Sequence, residues 1–144
     1  MRGVEASTRF PIGQEESWDF IFGDQGRRVA ELSALVAAVE GYQIRPDGTP
    51  CYTMVLKMGP LTMRSVSDYV VFDRPRRSVN KVLGSPLGGE FTMSFEPVGS
   101  GTTVVQRWDV RPHGALMRLM LPVIRPILRR SLQRDLDRWA LAAG

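Results

Sequence analysis

The groups in this chain that could make or break bonds are few and scattered. The one histidine, His113, follows Pro112 in a predicted turn, four residues after Asp109. Its ordinary pKa of about 6.5 suits acid–base work, yet a triad also needs a nucleophile in reach, and no G-x-S-x-G elbow is present. A turn at the surface is the better reading. The one cysteine, Cys51, has no basic neighbour in sequence to hold it as a thiolate and reads as an inert strand residue. It cannot close an internal disulfide. One cysteine and one histidine cannot build a metal-ligand cluster either, so neither a metal nor another cofactor is expected. Gly99-Ser100-Gly101 lacks the further spaced glycines and the following helix of a phosphate loop, and fits a hairpin. No pair of carboxylates falls on one predicted inward face. Gln106 and Tyr52 could orient a ligand carbonyl, or either could equally satisfy a buried backbone group.

The elements that must position these residues are legible from hydropathy periodicity. Val4, Ala6, Thr8 and Phe10 alternate with Glu5, Ser7 and Arg9, which predicts a strand with one buried face, ended by Pro11 to Gly13. QEESWDFIF puts Glu15 and Glu16 in a first helical turn, where the helix dipole favours acids, and Trp18, Ile21 and Phe22 on one face. Gly23 and Gly26 end that helix, and RRVAELS adds another turn or two. LVAAVEGYQI then predicts a second strand that closes at the Arg45-Pro46-Asp47-Gly48 turn. From Thr49 to Pro112 the segments CYTMVLKM, TMRSVSDYVVF, SVNKVLG, GEFTMSFEPV and TTVVQRWDVRP predict an antiparallel meander, parted by turns at Gly59-Pro60, DRPRR, SPLGG and GSG. Tyr52, Met54, Leu56, Phe91, Met93, Phe95 and Trp108 form an aromatic and methionine-rich inward face, with Gln106 as a polar group among them.

Residues 115 to 143 follow as one helical segment, about 43 Å long at 1.5 Å per residue, enough to cross the sheet diagonally. Leu116, Met120, Val123 and Ile127, then Leu128, Leu132, Leu136 and Trp139, recur at three- and four-residue steps and predict an apolar stripe. Arg118, Arg125, Arg129, Arg134 and Arg138 take the other side. Pro122 and Pro126 predict a kink, with the uninterrupted helix running from Pro126 to Ala142 and a looser segment over 115 to 125.

A chain of 144 residues is the size of one ordinary domain, able to bury about two-thirds of the surface its unfolded form exposes. A single domain over residues 1–144 is expected. Hydrophobic content of 43% and charged content of 24% are globular averages, which argues against disorder and fibrous structure. The segment MRGVEASTRFPIG lacks the apolar core of a signal peptide, and no window approaches the 18 or so apolar residues of a spanning helix, so a reduced, cytoplasmic setting is expected. Net charge is +4, and seven arginines between Arg111 and Arg138 stand against only Asp135 and Asp137. No nucleic-acid reading motif or set of stacking aromatics accompanies them, so no nucleic acid is expected. Trp139 beside arginines is compatible with transient contact at a membrane surface. The sheet's apolar face still needs a cover, which makes the last helix first of all a lid.

This order of elements resembles the helix-grip fold of the START-like superfamily, also called the Bet v 1-like or polyketide cyclase/dehydrase and lipid transport group. VEASTRFPIGQEESWDFI is similar to the family's opening strand and first helix, VVFDRPRRSVNKV to its turn between strands, and EPVGSGTTVVQRWDV to its Gly-Thr hairpin. The arginine-rich last helix completes the likeness. Arg27 and Arg28 stand where the family's usual tryptophan after the first helix would fall. The resemblance implies an α+β fold in which a curved antiparallel sheet of six to seven strands wraps a long C-terminal helix, with two short helices after the first strand. It also implies a cavity between sheet and helix, open at one end, for a small hydrophobic ligand such as a lipid or polyketide-like molecule. The expected lining is Tyr52, Met54, Leu56, Tyr69, Phe91, Met93, Phe95, Gln106 and Trp108 from the sheet, with Leu116, Met120 and Ile127 from the helix. Two functions are open at this point, a carrier and a polyketide cyclase or aromatase in which Gln106, Tyr52 or Tyr69 polarises a carbonyl. A homodimer is a further possibility.

Overall fold

The computed structural model describes residues 3–33, 36–58, 60–84 and 86–144. Strand β1 (Gly3–Phe10) alternates as its sequence requires, with Val4, Ala6 and Phe10 buried and Glu5, Ser7 and Arg9 exposed. Helix α1 (Gln14–Phe22) carries Glu15 and Glu16 in its first turn and buries Ser17, Trp18, Phe20 and Ile21. Its starting residue, Gly13, has no side chain to cap with, and the Ser17 hydroxyl instead donates back to the Gly13 carbonyl at 2.8 Å. A tight turn over Gly23–Gly26, with Asp24 and Gln25 at positive φ, redirects the chain into α2 (Arg27–Leu32). Helix α2 buries none of its residues, so it rests on the domain rather than filling it.

Strands β2 (Val36–Ile44), β3 (Pro50–Met58), β4 (Leu61–Asp73), β5 (Arg77–Leu83), β6 (Leu87–Val98) and β7 (Gly101–Pro112) form the expected meander. With β1 added beside β7, the sheet has seven strands in the order β1-β7-β6-β5-β4-β3-β2, every pair antiparallel. Register shifts between Val36 and Ala38, between Glu40 and Gln43, and between Tyr69 and Val71 interrupt the ladders at the β2 side of the sheet, as bulges that bend a strand do. Of the second predicted strand, Leu35 lies outside the described residues, as do Gly59 and Ser85 of two predicted turns.

The SPLGG segment departs from its expectation, because strand β6 already begins at Leu87. Leu87 is buried, the Gly88 carbonyl accepts the Trp108 indole N–H at 3.1 Å, and Gly89 pairs with Val110. Gly89 sits at φ +114°, and a Cβ there would collide with the Asp109 carbonyl, so these glycines serve close strand approach rather than a turn.

Helix α3 (Ala115–Ala143) also differs from expectation. It runs unbroken through Pro122 and Pro126, because Ile124 and Leu128 are anchored in the core on the face away from the lost backbone bonds. It does not cross the sheet diagonally. It lies alongside β1: Arg125 donates to the Gly3 carbonyl at 3.1 Å, and Gln133 donates to the Ser7 carbonyl at 2.8 Å while accepting from the Ser7 amide at 3.4 Å. One glutamine side chain thereby stands in for a missing neighbour strand at the β1 edge. Ile124, Leu128, Leu132, Leu136 and Trp139 turn inward to a core shared with Val4, Ala6, Phe95, Val104 and Trp108.

Candidate functional site

Because α3 follows the β1 side, the inward face of β3 to β6 is left to α1, α2 and β2, and these do not fill it. A short side chain adds to the hollow: Ser78 of β5 is buried in its wall where a large apolar group would fill it. The result is a cavity of about 120 Å³. Tyr52, Met54 and Leu56 reach it from alternate positions of β3, Phe91 and Met93 from β6, and Gln106 and Trp108 from β7. Tyr69 of β4 and Ser78, Asn80 and Val82 of β5 form its floor. Val29, Ala30 and Ser33 at α2, Val39 and Tyr42 on β2, and Leu132, Asp135 and Trp139 on α3 close the other side.

The wall is apolar, with a small number of polar atoms set into it. Tyr42 stacks on Tyr52, ring centroids 5.4 Å apart, and the Tyr52 and Tyr69 hydroxyls are 2.8 Å apart. Tyr52 and Tyr69 share one hydrogen bond in which either hydroxyl can be the donor, and Asn80 stands opposite Tyr69 on β5. Burial, above all, pushes the Tyr69 hydroxyl above its ordinary value of 10.0, and pushes Tyr52 well above it, with the neighbouring Tyr69 adding to the rise. Both phenols are therefore neutral hydrogen-bonding groups, not bases. Gln106 Oε1, Asn80 Oδ1 and Trp139 Nε1 are buried without a hydrogen-bond partner among the described residues. Ser33 at the end of α2 donates to the Asp135 carboxylate, tying α2 to α3 across the cavity wall.

Eight of the twelve residues expected at the site line the cavity: Tyr52, Met54, Leu56, Tyr69, Phe91, Met93, Gln106 and Trp108. Phe95 does not. It packs in an aromatic cluster beneath α1, 5.3 Å from Trp18 and 6.2 Å from Phe22 between ring centroids. Leu116, Met120 and Ile127 are exposed on α3 and are not part of the lining. The cause is helical phase: Ile127 to Leu128 is a step of about 100°, so the two halves of the expected stripe join only across a kink, and an unbroken helix holds them on different faces. The α2 and β2 contributions were not foreseen, nor were Asn80, Asp135 and Trp139 as lining. SVNKVL did carry a signal, since Ser78, Asn80 and Val82 alternate onto one face. His113 is exposed, and Cys51 sits on the opposite face of β3 from Tyr52. Among the described residues no three His, Cys, Asp or Glu side chains group to hold a metal.

No family model matches the chain, and no curated protein sequence does. Solved structures do match over nearly all of it. The protein TTHA0849 from Thermus thermophilus superposes with a TM-score of 0.83 at 16% identity, covering 98% of this chain and 96% of that one. The di-domain ARO/CYC StfQ from the steffimycin biosynthetic pathway gives 0.76 at 15% identity, 99% of this chain falling on 50% of that one. Ara h 8.0201 gives 0.67 at 10% identity, with 98% and 96% covered. These likenesses are of fold: the seven-stranded antiparallel sheet, the short helices after β1 and the long closing helix of this chain match the Bet v 1-like helix-grip fold.

Proposed function

We propose that this chain binds a small hydrophobic ligand in the cavity between the sheet, α2 and the C-terminal half of α3. The observation that carries the reading is the pairing of an apolar hollow of about 120 Å³ with buried polar atoms that lack partners in its wall. A packed core rarely leaves either, because each orphaned buried polar group costs about 1–3 kcal/mol. A cavity of this size is close to the engineered apolar cavity of about 150 Å³ that takes up benzene, so the enclosed part of the ligand is about one ring in size. Gln106 Oε1 and Asn80 Oδ1 call for donors and Trp139 Nε1 for an acceptor, which favours a ring bearing hydroxyl or carbonyl groups over a plain hydrocarbon. The single cysteine accords with a reducing, cytoplasmic setting.

Calorimetric titration with p-cresol and toluene tests this. Uptake of p-cresol with a Kd on the order of 0.1 mM is expected, as befits a ligand of so few atoms. Val82→Phe, which sets a ring into the cavity, should abolish uptake, and Gln106→Leu should weaken p-cresol relative to toluene. Uptake unaltered by Val82→Phe would sink the reading.

A cyclase is the second reading, favoured by the Tyr52–Tyr69 pair. A neutral phenol whose own proton is not spent on its neighbour can donate to a ligand carbonyl, and orientation alone lowers such a barrier by several kcal/mol. StfQ, a di-domain ARO/CYC, supports it by likeness of fold. A poly-β-keto substrate returned unchanged, or cyclised equally by Tyr69→Phe, would exclude Tyr69 from that role.

A further inference from the structure

The first half of α3 presents a second apolar face, independent of the cavity. Leu116, Leu119, Met120, Val123 and Ile127 are 68%, 78%, 39%, 68% and 54% exposed. At 100° per residue they fall within a sector of about 100°, in a row about 17 Å long. Ile124 and Leu128 bury another side of the same turns, with Met117 and Leu121 half-buried there, about 115° round the helix from the exposed row. Scattered exposed leucines are ordinary, but a contiguous aliphatic row on one helix is not.

Charge decides what covers it. Between Asp109 and Asp135 the chain has no acidic residue, and Asp135 is buried. Arg130 and Arg134 carry the line of the row into the next turns, Arg118 and Arg129 stand on another exposed flank of the same helix and Arg111 near the end of β7, and none of these exposed arginines forms an ion pair among the described residues. A second copy of this chain would bring the same uncompensated arginines against these five. A protein partner would have to supply a groove deep enough for side chains that stand two-thirds exposed on a convex helix. An anionic bilayer meets both conditions, taking an aliphatic ridge among its acyl chains and arginines among its phosphates.

We propose that this face of α3 docks on an anionic lipid surface, with Leu119 and Val123 at the centre of the contact. The helix lies in the interface and does not cross it, in keeping with the absence of any described helix long and apolar enough to span.

The test is co-sedimentation of the full chain with large unilamellar vesicles of phosphatidylcholine, and of phosphatidylcholine with phosphatidylglycerol in equal parts. Sedimentation with the mixed vesicles is expected, much less with phosphatidylcholine alone, and less again in about 0.5 M salt, where the Debye length is only a few ångströms. Leu119→Glu with Val123→Glu should lower the partition coefficient more than about tenfold, since two aliphatic insertions are lost. Arg129→Glu with Arg130→Glu should lower it on the mixed vesicles alone. All of these positions are exposed, so circular dichroism and the melting temperature should stay as they are. Failure of the native chain to sediment with mixed vesicles would overturn the proposal, as would undiminished binding by the Leu119/Val123 variant. So would a dimer in gel filtration that this variant splits, since that assigns the face to a second copy.

Discussion

Tyr69 is buried and Tyr52 half-buried with its hydroxyl turned to Tyr69, and that fixes how the two phenols answer to pH. Desolvation disfavours the phenolate, so each loses its proton more reluctantly in the folded chain than in the unfolded one. Between the unfolded value near 10 and the higher folded value, the folded state holds more protons, and stability falls as pH rises through that window. Below about pH 10 the contribution is fully present and flat. Chemical denaturation followed from about pH 8 to 11.5 should therefore show a loss of stability that begins near pH 10, and Tyr52→Phe should make that loss shallower. An alkaline slope unchanged in Tyr52→Phe would show that this phenol titrates alike in both states. Tyr42 shifts the same way for the same reason.

The two residues of element α3 that break the helical rule show how an element can overrule its parts. Pro122 and Pro126 each remove one backbone bond, yet the helix continues, because Ile124, Leu128, Leu132 and Leu136 hold the inner face to β1 and the core. Pro122→Ala returns the missing N–H to the Arg118 carbonyl on an exposed turn. It should raise unfolding free energy by about 1–2 kcal/mol, below the full interior proline penalty because the unfolded chain also gains freedom. Gly89→Ala should do the opposite, by roughly 2–5 kcal/mol, since it meets both a collision with Asp109 and an unfavourable positive φ. Urea titration of both variants reads the two signs. These positions also mark where sequence periodicity stops informing. Alternation placed the strands of the meander apart from the start of β6 at Leu87, and with them eight of the twelve residues expected at the cavity, because a strand's inward set follows from parity alone. Leu116, Met120 and Ile127 went astray because a helix of 29 residues with large apolar groups on two faces has two candidate inner stripes, and only the edge of β1 selects one. The α2 and β2 wall, with Val29, Ser33 and Tyr42, was hidden for a different reason: its place depends on the turn at Asp24 and Gln25, whose positive φ no pattern of hydropathy encodes.

At the scale of the whole molecule, a hollow is a standing loss of stability that a ligand can recover. At about 24 cal/mol per Å³, 120 Å³ corresponds to roughly 3 kcal/mol that a filled core would have supplied. A ligand held only by the folded state returns part of it, about 2.7 kcal/mol at a hundredfold excess over its Kd. For a chain of 144 residues this is a rise in melting temperature of roughly 5–10 °C. Val82→Phe should reproduce part of that gain with no ligand present, and then show no further shift when p-cresol is added. The two results must come together, because both draw on the same space. A variant that is stabilised but still responds to p-cresol would mean that the ligand enters elsewhere. A variant that is destabilised by several kcal/mol would mean that the space beside Val82 is occupied by packed side chains. Differential scanning calorimetry on the native chain and the variant, each with and without p-cresol, separates these outcomes in four scans.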